Sequence, residues 1–235
     1  MFTLTHNYIV PFVMVGLVFL LCRKIYFFFH RPVWLNPIAL SILLSFLILK
    51  IFNWPYAEFY HYLSWTRIIL DVSIIALAVP LYACAMSVKA LWKEIVIVGL
   101  VMSVFNIAIV VALALLLQVP DSFLYSLMTK SVTSPMAVMM QQGVGGLVSL
   151  AVASVIFTGI MGAMIAPVLF KVLRIEDDRV QGFTLGVCAH VIGTAKAIEI
   201  SERCAAFSGV AMVWMGLCTA LHLVWAVPLL RSLLS

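Results

Sequence analysis

Residues 95–117 read IVIVGLVMSVFNIAIVVALALLL, an apolar run that no charged residue interrupts. About 20 apolar residues in a helix cross the roughly 30 Å hydrocarbon core of a bilayer. The run therefore predicts a transmembrane helix. Further clear spans lie before and after it, at residues 8–29, 35–52, 68–86, 147–173 and 209–233.

The composition agrees with this interpretation along the whole chain. Of 235 residues, 65% are hydrophobic and 10% are charged, and the mean hydropathy is +1.20. A soluble domain is nearer half apolar and a quarter charged, and a soluble chain of this size could not bury so much apolar surface. We expect an all-α integral membrane protein in the lipid bilayer, with one membrane domain over residues 1–235.

The basic residues support a membrane topology rather than nucleic-acid binding. The formal net charge is +5, but the cations cluster in short connections between spans, which the positive-inside rule places in the cytoplasm. These connections carry Arg23, Lys24 and Arg31; Lys89 and Lys93; and Lys171, Arg174 and Arg179. The N-terminus is then periplasmic, and the first span is expected to be a helix, not a cleaved signal.

Two less regular segments, 125–142 and 182–200, bring the expected total to seven or eight membrane segments. Counting 125–142 as one crossing would place the basic connection at 171–179 outside, whereas a re-entrant segment removes that conflict. Pro135 lies within the segment and glycines follow it, and proline kinks or ends a helix. We expect a re-entrant or sharply broken segment; the alternative is an exception to the charge rule.

The first irregular segment concentrates polar groups between apolar flanks. Around Pro135 it carries Lys130, Ser131, Thr133 and Ser134. An ionisable residue inside a membrane is costly and usually faces a cavity or a partner. We interpret the four as substrate-binding residues. In the alternative, Lys130 extends to the interface and the hydroxyls bond to the preceding turn.

The second irregular segment, 186–199, repeats this combination. Its candidate substrate-binding residues are His190, Thr194 and Lys196, and its expected helix breaks are Gly186 and Gly193. On a helix, Lys196 and Glu199 would form an i, i+3 pair, which is the structural alternative for the lysine. For His190 the alternative is a buried neutral imidazole bonded to a carbonyl.

Broken helices with cationic and hydroxyl groups are typical of transporter sites, where half-helix ends bind small anions near the midplane. We expect Thr133 and Thr194 to bind the carboxylate or hydroxyl of one substrate together, and His190 to respond to protons. Enzyme motifs are absent, so no catalytic residue is assigned. The five cysteines form no CxxC, and neither a disulfide, a metal nor a cofactor is expected.

The two segments resemble the LrgB/CidB family. Residues 129–137 are similar to its Pro-Lys-Ser-Val-Thr-Thr-Pro signature, and residues 186–199 to its Gly-Thr-Ala-Ser-His-Gly-Ile-Gly-Thr-Ala-Arg signature with a following Glu. Thr129 replaces the family's first Pro, and Lys196 replaces its Arg, so the guanidinium fork is lost.

The resemblance implies two competing functions. One is a bacterial inner-membrane transporter of small 2-oxo or 2-hydroxy monocarboxylates, such as pyruvate or glycolate. The other is a holin-like protein that modulates murein hydrolase export and lysis. In both, the resemblance implies a smaller LrgA/CidA-like membrane protein as partner and a homo- or hetero-oligomer. The polar broken segments favour the transporter.

Overall fold

The computed structural model describes residues 2–29, 35–64, 66, 68–69, 72, 75, 79, 82 and 85–234. The regular elements in these residues are α-helices, which confirms the all-α class. The chain divides into two compact units, Met1–Ala78 and Val79–Ser235. The single domain over 1–235 stays a prediction.

The first unit includes the helices α1 (Phe2–Phe28), α2 (Pro37–Ile51) and α3 (Tyr56–Tyr62). Helix α2 begins where the sequence predicts, because the Asn36 side chain accepts from Ile38 N at 2.9 Å and proline occupies the first helical position. Helices α2 and α3 meet at a bend of 120°. The predicted span 68–86, with Asp71 and Pro80, lies largely outside the described residues, as do Arg31 and Cys84.

The second unit carries the polar segments. Its helices are α4 (Ala85–Ala90), α5 (Trp92–Leu116), α6 (Asp121–Leu127), α7 (Ser134–Val144), α8 (Val148–Val172), α9 (Asp178–Ile200) and α10 (Glu202–Leu234). Helix α10 packs on α9 and α5, while α8 packs on α9 and on the short helices α6 and α7. The long helices expose large apolar side chains such as Val101 and Trp225. Such an apolar exterior fits lipid.

Five described helices are long and apolar enough to cross a membrane, or six if the bent pair α2–α3 forms one span. The predicted count of seven to eight segments is not confirmed. The predicted span 68–86 lies largely outside the described residues, and segment 125–142 forms two short helices. At 1.5 Å per residue, the 7 residues of α6 and the 11 residues of α7 reach only about 10 and 16 Å.

The break in segment 125–142 lies before Pro135, not at it. Residues 128–133 form the turn between α6 and α7, and Pro135 occupies the first turn of α7, where its missing N–H has no cost. The helix ends at Gly145, whose φ of 86° gives the left-handed conformation that glycine adopts easily. The expected broken segment is therefore present, with its proline starting a helix.

The break in α9 lies at His190, where φ is 40° and ψ is −124°. The prediction that Gly186 and Gly193 break the helix is wrong, since His190 is the one residue within Asp178–Ile200 whose φ and ψ are non-helical. Both instead allow close packing. A Cβ at Gly193 would lie 2.7 Å from the Cβ of Ala189 across the break, and one at Gly186 would lie 2.8 Å from the Cβ of Ala211 in α10.

Candidate functional site

The turn between α6 and α7 places a lysine against the middle of α5. Lys130 Nζ donates to Asn106 Oδ1 at 3.0 Å and to Ser131 Oγ at 3.2 Å. Ser131 Oγ donates to the same amide oxygen at 3.2 Å. Asn106 Nδ2 is engaged by its own helix, donating to Met102 O at 3.0 Å. The amide therefore presents its oxygen to the lysine and the serine.

Lys130 has neutral partners only. The ion pairs among the described residues are Arg179–Asp177 and Lys196–Glu199, so no described carboxylate pairs with Lys130. The side chain is half-buried, and an ammonium has three N–H donors, two of which bind Asn106 and Ser131. A cation removed from water without a counter-charge is costly. The arrangement can bind an anion.

A glutamine holds the turn in place. Gln141 is 3% exposed, and its Nε2 donates to Tyr125 O at 3.1 Å and to Thr129 Oγ1 at 2.9 Å. Its Oε1 accepts from Gly146 N at 3.0 Å. One buried amide thus ties α6, the turn and the approach to α8 together. The buried hydrogen bonds of Gln141 therefore fix the position of Lys130. Leaving any of these buried polar groups without a partner would destabilise the fold.

The second break carries the buried histidine. His190 is 2% exposed, and its ring packs on α8 so closely that a Cβ at Gly159 would lie 2.8 Å from Cε1. The imidazole lies beside the backbone of Lys130. Its Nε2 nevertheless has no hydrogen-bond partner among the described residues. One ring nitrogen is therefore uncommitted.

The two breaks meet at Lys130. The His190 ring lies beside its backbone, and the Cys188 thiol is within electrostatic reach of its ammonium. Three elements thereby converge: the middle of α5 supplies Asn106, the α6–α7 turn supplies Lys130 and Ser131, and the break of α9 supplies His190. We call these four residues the cation cluster.

The two candidate threonines differ in their bonding. Thr194 Oγ1 donates to His190 O at 2.8 Å, and Ser208 Oγ on α10 lies 2.9 Å from it. Thr133 is 7% exposed at the N-cap of α7, where its side chain makes no capping hydrogen bond. No hydrogen bond joins the two side chains in the described part of the chain. The Thr194 hydroxyl is thus already engaged. Joint binding of one substrate by both threonines stays a prediction.

The remaining candidates lie at the ends of helices. Lys196 Nζ pairs with Glu199 Oε2 at 2.7 Å, with side-chain exposures of 23% and 42%, as the ion-pair alternative expects. Ser134 is half-buried in the first turn of α7. Among the described residues, no hydrogen bond or ion pair links Ser134 to the cation cluster.

Sequence reasoning missed the residues that partner these candidates. Asn106 is an amide in the middle of the apolar run 95–117, which is itself a signal of a polar partner inside the membrane. Gln141 and Ser208 give no comparable signal. Their roles depend on which helix lies opposite, and one sequence does not fix that.

An ion pair at the start of α9, between Asp177 and Arg179, does not belong to the cation cluster. Asp177 is the N-cap and accepts from Arg179 N at 2.8 Å while also pairing with the Arg179 guanidinium. These side-chain and backbone hydrogen bonds lower the pKa of Asp177 to about 2. The pair is partly exposed and ends the basic connection 171–179.

Comparison with known proteins agrees with the motifs. A model of the LrgB-like family matches residues 16–229. The antiholin-like protein LrgB of Bacillus subtilis (strain 168) is 26% identical over 186 residues, covering 79% of this chain and 80% of that protein.

Two further Bacillus subtilis (strain 168) relatives carry the names uncharacterized protein YwbG and uncharacterized protein YxaC. The first is 30% identical over 215 residues, or 90% of this chain and 95% of the relative. The second is 31% identical over 192 residues, or 80% and 82%. No solved structure matches. Because the family match spans nearly the whole chain, including both broken segments, this multi-pass membrane protein belongs to the LrgB-like family.

Proposed function

We propose that this protein is a bacterial inner-membrane transporter of small 2-oxo or 2-hydroxy monocarboxylates, of the pyruvate or glycolate type. One observation carries the proposal. The half-buried Lys130 ammonium binds Asn106 at 3.0 Å and Ser131 at 3.2 Å, with no carboxylate partner among the described residues. A small carboxylate supplies the missing charge and accepts a charge-assisted hydrogen bond.

The surroundings of Lys130 suit a carboxylate with a second polar group. His190 offers an unpartnered Nε2, and Thr133 a hydroxyl without a capping bond. The Thr133 hydroxyl and a protonated His190 can donate to an oxo or hydroxy oxygen next to the carboxylate, whereas the neutral Nε2 can only accept, for example from a substrate hydroxyl. In this proposal His190 takes up a proton when the anion binds, which couples the two in one site. Thr194 positions the break through His190 O.

The two broken segments provide the access route. In a bilayer, irregular backbone survives only where protein or a watery cavity surrounds it. The segment 129–135 approaches the site from the periplasm and 186–196 from the cytoplasm, with the N-terminus periplasmic, as the basic connections indicate. An LrgA/CidA-like small membrane protein is the expected partner, in a homo- or hetero-oligomer.

A second candidate function comes from the relatives. The name antiholin-like protein LrgB, carried by relatives from Bacillus subtilis (strain 168) and Bacillus mycoides (strain KBAB4), speaks for a holin-related role more directly than for any carboxylate. In this alternative the protein modulates murein hydrolase export and lysis. The site favours transport, since forming a membrane lesion does not require a half-buried cation held by polar side chains.

Uptake into proteoliposomes separates the two functions. Labelled pyruvate and glycolate are offered to vesicles containing this protein, with and without an LrgA-like partner, next to a trapped dye as a leakage reporter. The proposal expects saturable uptake of at least one carboxylate with the dye retained. Dye release without saturable uptake in both preparations contradicts transport and supports the holin-related role.

A further inference from the structure

A groove between α7 and α10 lies outside the cation cluster. It encloses about 370 Å³, with Met139, Met140 and Gly143 on one wall, Leu223 and Val227 on the other, and Arg231 at one end. Met139 is 64% exposed, so the groove opens on the outer face of the helices. In a membrane that face meets lipid.

The groove has one polar end. Arg231 Nη2 donates to Val144 O at 3.0 Å, and the guanidinium lies 5.6 Å from the centre of the Tyr125 ring. Among the described residues it forms no ion pair. A guanidinium has five N–H donors in a fork that matches phosphate. Arg231, at the end of the groove, can therefore still bind an anion.

The length of the apolar part matches one leaflet. From Ala220 to Arg231 along α10, the 1.5 Å rise per residue gives about 16 Å, which is half of a roughly 30 Å hydrocarbon core. Pro228 lies within this stretch, where a missing helical hydrogen bond and a kink are expected. A single acyl chain fits the groove when its headgroup is level with Arg231.

We propose that this groove is a binding site for an anionic phospholipid, with the phosphate on Arg231 and one acyl chain between α7 and α10. The ligand follows from charge complementarity at one end and apolar walls of one-leaflet length. Arg231 donates to Val144 O at the end of α7. It therefore also connects the lipid to α6, α7 and the turn between them, which carries Lys130. The site is independent of the substrate proposed above.

Gly143 offers a clean way to block the groove. A Cβ at this position meets nothing within 4 Å, so a side chain starts in open space there, and Gly143→Leu adds apolar bulk to this wall of the groove while leaving the charge of Arg231 in place. Gly209 on α10 has the same open surroundings and lies outside the groove, so Gly209→Leu is its matched control. Arg231→Gln removes the charge, and Arg203→Gln at the other end of α10 is the control.

The test uses the purified full-length protein in a neutral detergent. Thermal unfolding is followed while dioleoyl phosphatidylglycerol, dioleoyl phosphatidylcholine or inorganic phosphate is titrated, because a ligand of the folded state raises Tm. We expect saturable stabilisation by phosphatidylglycerol alone. The loss of a charge-assisted bond should weaken its apparent Kd about tenfold to a hundredfold in Arg231→Gln, and Gly143→Leu should do the same. Both controls keep the parent's Kd.

Four results overturn the proposal. Equal stabilisation by phosphatidylcholine excludes recognition of the anionic headgroup, and full stabilisation by inorganic phosphate shows that no acyl chain is needed. An unchanged phosphatidylglycerol response in Gly143→Leu excludes the groove, and if light scattering shows that this variant dissociates an oligomer, its occupant is a second copy of the chain.

Discussion

Replacing Asn106 with aspartate tests whether Lys130 is available for an anion. The Asn106 oxygen already lies 3.0 Å from Lys130 Nζ, so Asn106→Asp introduces a carboxylate where a hydrogen bond exists. The substituted side chain has nearly the same shape, and it provides the counter-charge that the described residues lack. An external carboxylate must then compete with an internal one for the same ammonium.

The size of the effect follows from the bond at stake. A hydrogen bond to a charged group contributes about 1.5–3 kcal/mol, and each 1.4 kcal/mol changes affinity tenfold. We therefore expect the apparent KM for carboxylate uptake to rise about tenfold to a hundredfold. The Tm should stay close to the parent's, because the ion pair with the half-buried cation offsets the loss of the Asn106 Nδ2–Met102 O hydrogen bond.

The assay is carboxylate uptake into proteoliposomes over a range of substrate concentrations, with Tm measured on the same preparations. Gln142→Glu is the matched control, since it makes the same amide-to-acid change on the exposed face of α7. It should leave KM unchanged. If Asn106→Asp takes up substrate with the parent's KM at normal Tm, Lys130 does not bind the substrate's charge.

The remaining predictions concern the threonines, the histidine and one surface pair. Thr133→Val should raise KM about tenfold with an unchanged Tm, since its hydroxyl makes no capping bond. Thr194→Val should raise KM and also lower Tm, because it removes the hydrogen bond from Thr194 Oγ1 to His190 O. Equal Tm values for the two variants would contradict this difference. His190→Gln should flatten the pH dependence of uptake, whereas a profile identical to the parent's excludes proton coupling at this residue. The pKa of Asp177 is lowered from 3.8 to about 2, so its pairing stabilises the fold above about pH 4 and is lost as the pH falls towards 2. Asp177→Asn should therefore show a smaller fall of Tm than the parent over that window, and parallel Tm curves count against the pairing.

The sequence predicted the fold class and the two irregular segments correctly, because both depend on local chemistry. Apolar runs of sufficient length specify membrane helices, and a proline with nearby glycines specifies an interruption. The exact positions of the breaks were predicted less well. The proline starts a helix, and His190 takes the break in α9, because tertiary contacts around Gly186 and Gly193 require small residues there.

The partners within the site were beyond a single sequence. Asn106 and Lys130 are 24 positions apart, and Thr194 meets Ser208 across two helices. Which faces oppose each other depends on packing that periodicity does not encode. Lys196 shows the opposite case, since an i, i+3 spacing to Glu199 was enough to anticipate its ion pair.

Carboxylate uptake by two variants of Lys130 tests the central claim most directly. Lys130→Arg keeps the positive charge beside Asn106, whereas Lys130→Met keeps the length of the side chain and removes the charge. With equal amounts of folded protein in the proteoliposomes, we predict saturable uptake by Lys130→Arg and none by Lys130→Met. Saturable uptake by Lys130→Met with the parent's KM would contradict the account, because the anion would then bind without the cation around which the site is built.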